Sequence, residues 1–74
     1  MAVKVGRCLL QEMLRSRRME QVELAYRLKV TPQQVNKYVK DVQGMSLETA
    51  KNISLILNCR MDDLYEWIEV GDNE

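Results

Sequence analysis

The sequence predicts an all-α fold, a compact domain of five short helices. Three observations predict it: apolar residues recur at three- and four-residue spacing in successive stretches, helix-start signals stand at Thr31-Pro32 and Ser46-Leu47-Glu48, and no useful length of chain alternates with a strand's period of two. There is no internal repeat. Seventy-four residues suit one hydrophobic core, so residues 1–74 form a single domain with its core over about 6–70 and a frayed tail at 71–74.

Cys8, Leu9, Leu10, Met13 and Leu14 give a first amphipathic helix over roughly residues 6–17, ended by Arg15-Ser16-Arg17-Arg18. A second helix at about 21–28 buries Leu24, Ala25 and Leu28, and the small Ala25 lets another helix approach closely. The turn falls at Lys29-Val30. Thr31 supplies a cap, Pro32 favours the first helical position and Gln34 can reach back to the cap residue, so the third helix spans about 32–40. Asp41 to Met45 is a loop, Ser46 caps a fourth helix over Leu47, Ala50, Ile53 and Ile56 or Leu57, and Asn58 stops it. Residues 61–68 read as a fifth helix, with Asp62 and Asp63 at its positive end.

Composition narrows the function classes. With 46% apolar and 30% charged residues, the chain has the make-up of a soluble globular protein. Its apolar runs are too short to span a bilayer, so a cytoplasmic location, nucleoid-associated and with no membrane partner, is the expectation. Two cysteines, Cys8 and Cys59, and no histidine exclude the common four-ligand zinc shell and point to buried free thiols. With no histidine, and no serine or cysteine beside a recognisable base, neither an enzyme nor a cofactor is expected. The zero net charge hides an asymmetry. Residues 1–40 hold nine basic and three acidic residues, and residues 41–74 hold two basic and eight acidic ones. Such a dipole orients a domain on a polyanion; the same two halves can equally attract each other within the molecule.

The stretch from Gln21 to Tyr38 has the shape of two short helices joined by a tight turn, the second carrying amides and a lysine outward, as a rod offered to the DNA major groove. From Val35 at 100° per residue, Val35, Tyr38 and Val39 share one side; Gln33, Lys37 and Lys40 share the other, with Asn36 flanking them. Gln21, Leu24, Ala25, Leu28, Val30, Val35 and Tyr38, then Ser46-Leu47-Glu48-Thr49-Ala50 and Met61-Asp62-Asp63-Leu64, resemble the lambda-type phage repressor and Cro (Xre-like) helix-turn-helix family over about residues 7–70.

That resemblance implies a lambda repressor-like DNA-binding domain and a sequence-specific transcriptional regulator of phage or bacterial repressor type. It implicates Gln21 as a phosphate clamp and Gln33, Asn36 and Lys37 as base readers, with Arg17, Thr31, Gln34 and Lys40 as phosphate or flanking contacts. The chemistry suits the role, since glutamine and asparagine pair bidentately with adenine and lysine donates to guanine. Gln34 has two readings, as capping residue or as base reader. The family's usual turn glycine is here Lys29, which must take a left-handed conformation, and Asp41 stands where a glycine often follows the third helix. Many members pair an arginine in the first helix with a glutamate late in the third; here Leu14 and Val39 occupy those places and are expected to pack together.

Double-stranded DNA, an inverted-repeat operator, is the partner that follows, bound by a homodimer formed through the fifth helix. Val22 and Tyr26 on the second helix, with Trp67 and Ile68 at the end of the chain, are the candidate protein interface, although Trp67 and Ile68 equally suit the core. The alternative function is a protein-interaction module on the same fold, such as an antitoxin or a regulator's antagonist.

Overall fold

The computed structural model describes residues 2–71. In chain order it comprises β1 (Ala2–Cys8), α1 (Leu10–Ser16), α2 (Gln21–Leu28), α3 (Pro32–Val39), α4 (Leu47–Leu57), one 3-10 turn (Met61–Leu64) and β2 (Tyr65–Val70). The expectation of fraying at the end of the chain falls, for Asp72 to Glu74, outside the described residues.

The middle of the chain folds as its local chemistry dictates. Thr31 Oγ1 accepts the Gln34 N–H at 3.1 Å and Pro32 opens α3; Ser46 Oγ accepts the Thr49 N–H at 3.0 Å and starts α4. Leu10, Leu14, Leu24, Val35, Ile53, Leu57 and Leu64 are each at most 2% exposed and form one core across the helices and the 3-10 turn. Leu14 belongs to that core and Val39 packs against it, as α1 meets α3.

The five-helix, all-α expectation is overturned at both ends of the chain. β1 and β2 pair antiparallel with Ala2 opposite Val70, Lys4 opposite Ile68 and Val5 opposite Trp67, and the register shifts between Val5 and Cys8. The first helix therefore starts at Leu10 rather than near residue 6, and the fifth is a single 3-10 turn that gives way to strand at Tyr65. Val3, Val5, Tyr65, Trp67, Ile68 and Val70 are β-branched or aromatic, types that suit a pleated surface. Gly6 disfavours a helix and fits the ribbon, because a Cβ there would lie 3.0 Å from Ile68 Cδ1 and 3.1 Å from Glu66 Cβ.

The ribbon is anchored at its inner end. Cys8 and Leu64 are buried, and the Leu9 N–H donates to the Leu64 carbonyl at 2.8 Å. At the irregular point of the register Arg7 pairs with Glu12 at 2.9 Å and Glu66 at 3.5 Å, and its guanidinium holds the Glu12 carboxyl below the usual range. Beyond that anchor Val3, Val5, Trp67, Ile68 and Val70 stay largely exposed, and the molecule is 46 Å long against 22 and 20 Å in the other directions.

All four helices end the same way. Arg18, Lys29, Asp41 and Asn58 are left-handed (φ of 55, 65, 61 and 54°), and the N–H of the next residue returns to a carbonyl five residues back: Met19 to Leu14, Val30 to Ala25, Val42 to Lys37 and Cys59 to Ser54. These are Schellman closures, and glycine, the usual occupant, fills none of them. A side chain in this region costs roughly 1–2 kcal/mol. Lys29→Gly is therefore expected to stabilise the fold by about 0.5–1 kcal/mol, net of the glycine's extra freedom when unfolded. Thermal denaturation reads it as a melting point a few degrees higher.

Candidate nucleic-acid interface

The outward side of α3 is set by its inward side. Val35 and Tyr38 are buried, so Gln33, Lys37 and Lys40 face out, with Asn36 half-buried at the margin toward α2. The buried Leu24 and Ala25 hold α2 against the same core. Gln21, at the first position of α2, thereby comes beside α3. Gln21, Pro32, Gln33, Asn36 and Lys37 line one shallow, open depression of about 530 Å3.

Polar side chains are chained across this margin. The Asn36 Nδ2 donates to Gln21 Oε1 at 3.2 Å, and the Gln21 Nε2 donates to Gln11 Oε1 at 3.0 Å. α2 has no side-chain cap at its start, which leaves first-turn N–H groups without an intrahelical acceptor at the edge of the depression. Lys37 and Lys40 make no ion pair with any described residue. Arg7–Glu66 is the one ion pair among the described residues that joins the basic part of the chain to the acidic part.

The matching family model covers residues 9–69 and is described as a Cro/C1-type HTH DNA-binding domain. The chain belongs to that family. Within the Cro/C1-type family α2 and α3 are the helix-turn-helix, and the function class is a DNA-binding transcriptional regulator. A Bacillus subtilis (strain 168) protein, described as the SPbeta prophage-derived uncharacterized HTH-type transcriptional regulator YopS, is 36% identical over 66 residues, which are 88% of this chain and 89% of that one.

The structure brings together four of the residues singled out in the sequence, Gln21, Gln33, Asn36 and Lys37, and Lys40 is exposed at the far end of α3. Thr31 is engaged as the cap of α3. Gln34 takes part in that cap through its backbone N–H, but the Thr31 N–H does not donate back to the Gln34 side-chain oxygen, so the reciprocal half of a capping box is not made; the Gln34 Nε2 is buried without a hydrogen-bond partner. Arg17 closes the C-terminal end of α4 instead, its Nε donating to the Leu57 carbonyl at 2.7 Å and its Nη2 to the Asn58 carbonyl at 3.2 Å. Val22 and Tyr26 stand well exposed on α2, at 62% and 84%.

Trp67 and Ile68 lie on β2, not on a fifth helix and not in the buried core; the Trp67 indole N–H donates to the Asp62 carbonyl at 2.9 Å. The cysteines are both free, Cys8 buried and Cys59 partly so, and burial pushes both thiols up. Among the described residues no cluster of His, Cys, Asp or Glu could hold a metal ion, and no helix is long and apolar enough to cross a membrane. Gln11 was missed in the sequence, where it was one polar position on an amphipathic helix, ten residues from Gln21 and twenty-five from Asn36.

Because its guanidinium closes α4, Arg17→Ala is expected to lower stability by about 1–2 kcal/mol in chemical denaturation. The salt dependence of duplex binding, which falls by about one unit of slope when a phosphate contact is lost, should stay unchanged.

Proposed function

We propose that this protein is a sequence-specific regulator that reads an operator in the cytoplasm with α3 in the major groove. Gln33, Asn36 and Lys37 meet base edges, Gln21 holds a backbone phosphate beside the start of α2, and Lys40 with the Thr31-Gln34 turn flanks the contact. The observation that carries this reading is the gathering of Gln21, Gln33, Asn36 and Lys37 around one open depression. Amides and a lysine ammonium there offer the donor and acceptor pattern that major-groove edges of adenine and guanine require.

A second copy completes the reading. A dimer through a fifth helix is replaced, since that helix does not form, by pairing through the ribbon, whose Val3, Val5, Trp67, Ile68 and Val70 are 42–56% exposed. Two-fold pairing would set two α3 helices on successive turns of an inverted repeat, about 34 Å apart. One observation favours a different partner: Tyr26, at 84% exposure beside Val22, is a large side chain with no role in the depression. An interaction module would use that face of α2.

Selection of the pure protein on randomised duplexes tests the first reading. An enriched site is expected, with Gln33→Ala and Lys37→Ala each losing about 5- to 100-fold at one base position, the worth of one well-formed base contact. Unchanged preference in both variants would refute the base-reader assignment. No retention on duplex DNA even at low salt would favour the protein-binding module.

A further inference from the structure

The amide chain Gln11–Gln21–Asn36 draws one side chain from each of the first three helices, all three half-buried, and ends at the margin of the depression. A carboxamide offers one acceptor oxygen and two donor hydrogens. Gln21 accepts from Asn36 through Oε1 and donates to Gln11 through Nε2, which leaves one Nε2 hydrogen free. Asn36 gives one Nδ2 hydrogen to Gln21 and keeps the other together with Oδ1. An acceptor and a donor side by side on one amide are the pattern that complements the N6 donor and N7 acceptor of adenine.

We propose that Gln11, which lies outside the helix-turn-helix, is a positioning residue that fixes which edge of the Asn36 amide is offered to DNA, and so helps set base preference. The proposal rests on Asn36 being a base reader, as argued above. If the Asn36 amide alone turned over, its oxygen would face Gln21 Oε1, two acceptors with no proton between them. If Gln21 turned as well, its oxygen would face Gln11 Oε1 in the same way. Only a reversal of all three amides together keeps both bonds, so the orientation at the reading surface is settled at the far end of the chain, by whether Gln11 presents its oxygen, as it does here, or its NH2. With the acceptor in place, Asn36 shows one acceptor and one donor. With the chain reversed, it would show its two amide hydrogens. Gln21 links the two roles, since the hydrogen it has free is the one available to a phosphate oxygen.

The variants separate an acceptor from mere packing. Gln11→Leu, one bond shorter, removes the acceptor; Gln11→Glu keeps the length and supplies only acceptors. Both are measured on the duplex selected by the wild type and on the same duplex changed at the base pair that Asn36→Ala ceases to distinguish. Gln11→Leu is expected to lose about three- to tenfold of discrimination at that pair, the worth of one neutral hydrogen bond, with its affinity for random duplex unchanged. Gln11→Glu is expected to keep the discrimination while binding all duplexes more weakly, because a carboxylate has been placed near the phosphates.

In the DNA-free protein the side-chain amide NMR signals of Gln21 and Asn36 are expected to move in Gln11→Leu and to stay sharp and shifted in the wild type. Gln11→Ser, shorter and still polar, replaces Gln11→Leu if the latter does not fold, with the same loss expected. Discrimination and amide signals unchanged in Gln11→Leu, or equal losses of discrimination in the Leu and Glu variants, would overturn the proposal while leaving Asn36 a base reader. If Asn36→Ala itself alters no preference, the base-reading assignment of Asn36 fails and the positioning role fails with it.

Discussion

The packing of α2 on α3 is the constraint on which the reading surface depends. Leu24, Ala25 and Val35 are at most 1% exposed. With no slack at that contact, the rotation of α3 about its own axis is fixed, and with it the direction of every side chain on the outer face. Ala25 matters because of what it lacks: a larger side chain would push the helices apart and move Gln21 away from Asn36. The left-handed Lys29 serves the same end, since it turns the chain in two residues and sends Val30 back against the core. The side chains proposed to meet DNA are therefore positioned by apolar neighbours in the core.

Electrostatics arrange the molecule on a larger scale than any single pair. The ion pairs among the described residues are exposed ones, of the kind that contributes little to stability. Lys37 and Lys40 stay outside them on α3, while Glu66 and Glu69 lie on the ribbon and Asp62 and Asp63 at its base. A polyanion approaching this charge distribution is drawn to the α3 side, while the ribbon, where Lys4 and Arg7 balance Glu66 and Glu69, gives it no net pull, which favours one orientation before any base is contacted.

The sequence was legible where structure is decided by neighbours within a few residues. Thr31 with Pro32, Ser46, the left-handed Lys29 and the stop at Asn58 each act through short-range hydrogen bonds, and α2, α3 and α4 lie where those signals put them. The ribbon was not legible. Val3 and Val5 alternate over too few residues to stand out, and the strand that makes sense of them begins with Tyr65, at the opposite end of the chain. Residues 61–68 fit a helical period until β1 provides another use for their backbone groups. The same limit governs the site: Gln33, Asn36 and Lys37 share a helix face that can be counted off in 100° steps, whereas Gln11 meets Gln21 only after α1 and α2 have packed. Arg17 is similar, because the carbonyls of Leu57 and Asn58 come within its reach only in the folded chain.

Pairing the two ends of the chain has a consequence for how the molecule comes apart. Joining residues 8 and 65 in an otherwise free chain would carry a loop-closure penalty of about 3–4 kcal/mol. The helical body removes it, because Leu10 and Leu64 already share the core and the Leu9–Leu64 hydrogen bond delivers both strands side by side. The dependence runs one way: the helices hold the strand ends together, while the outer strand residues add no buried side chain to the helices. The ribbon is thus a separate cooperative unit of lower local stability. Its outer amides can exchange with solvent through openings that leave α3 and its neighbours folded.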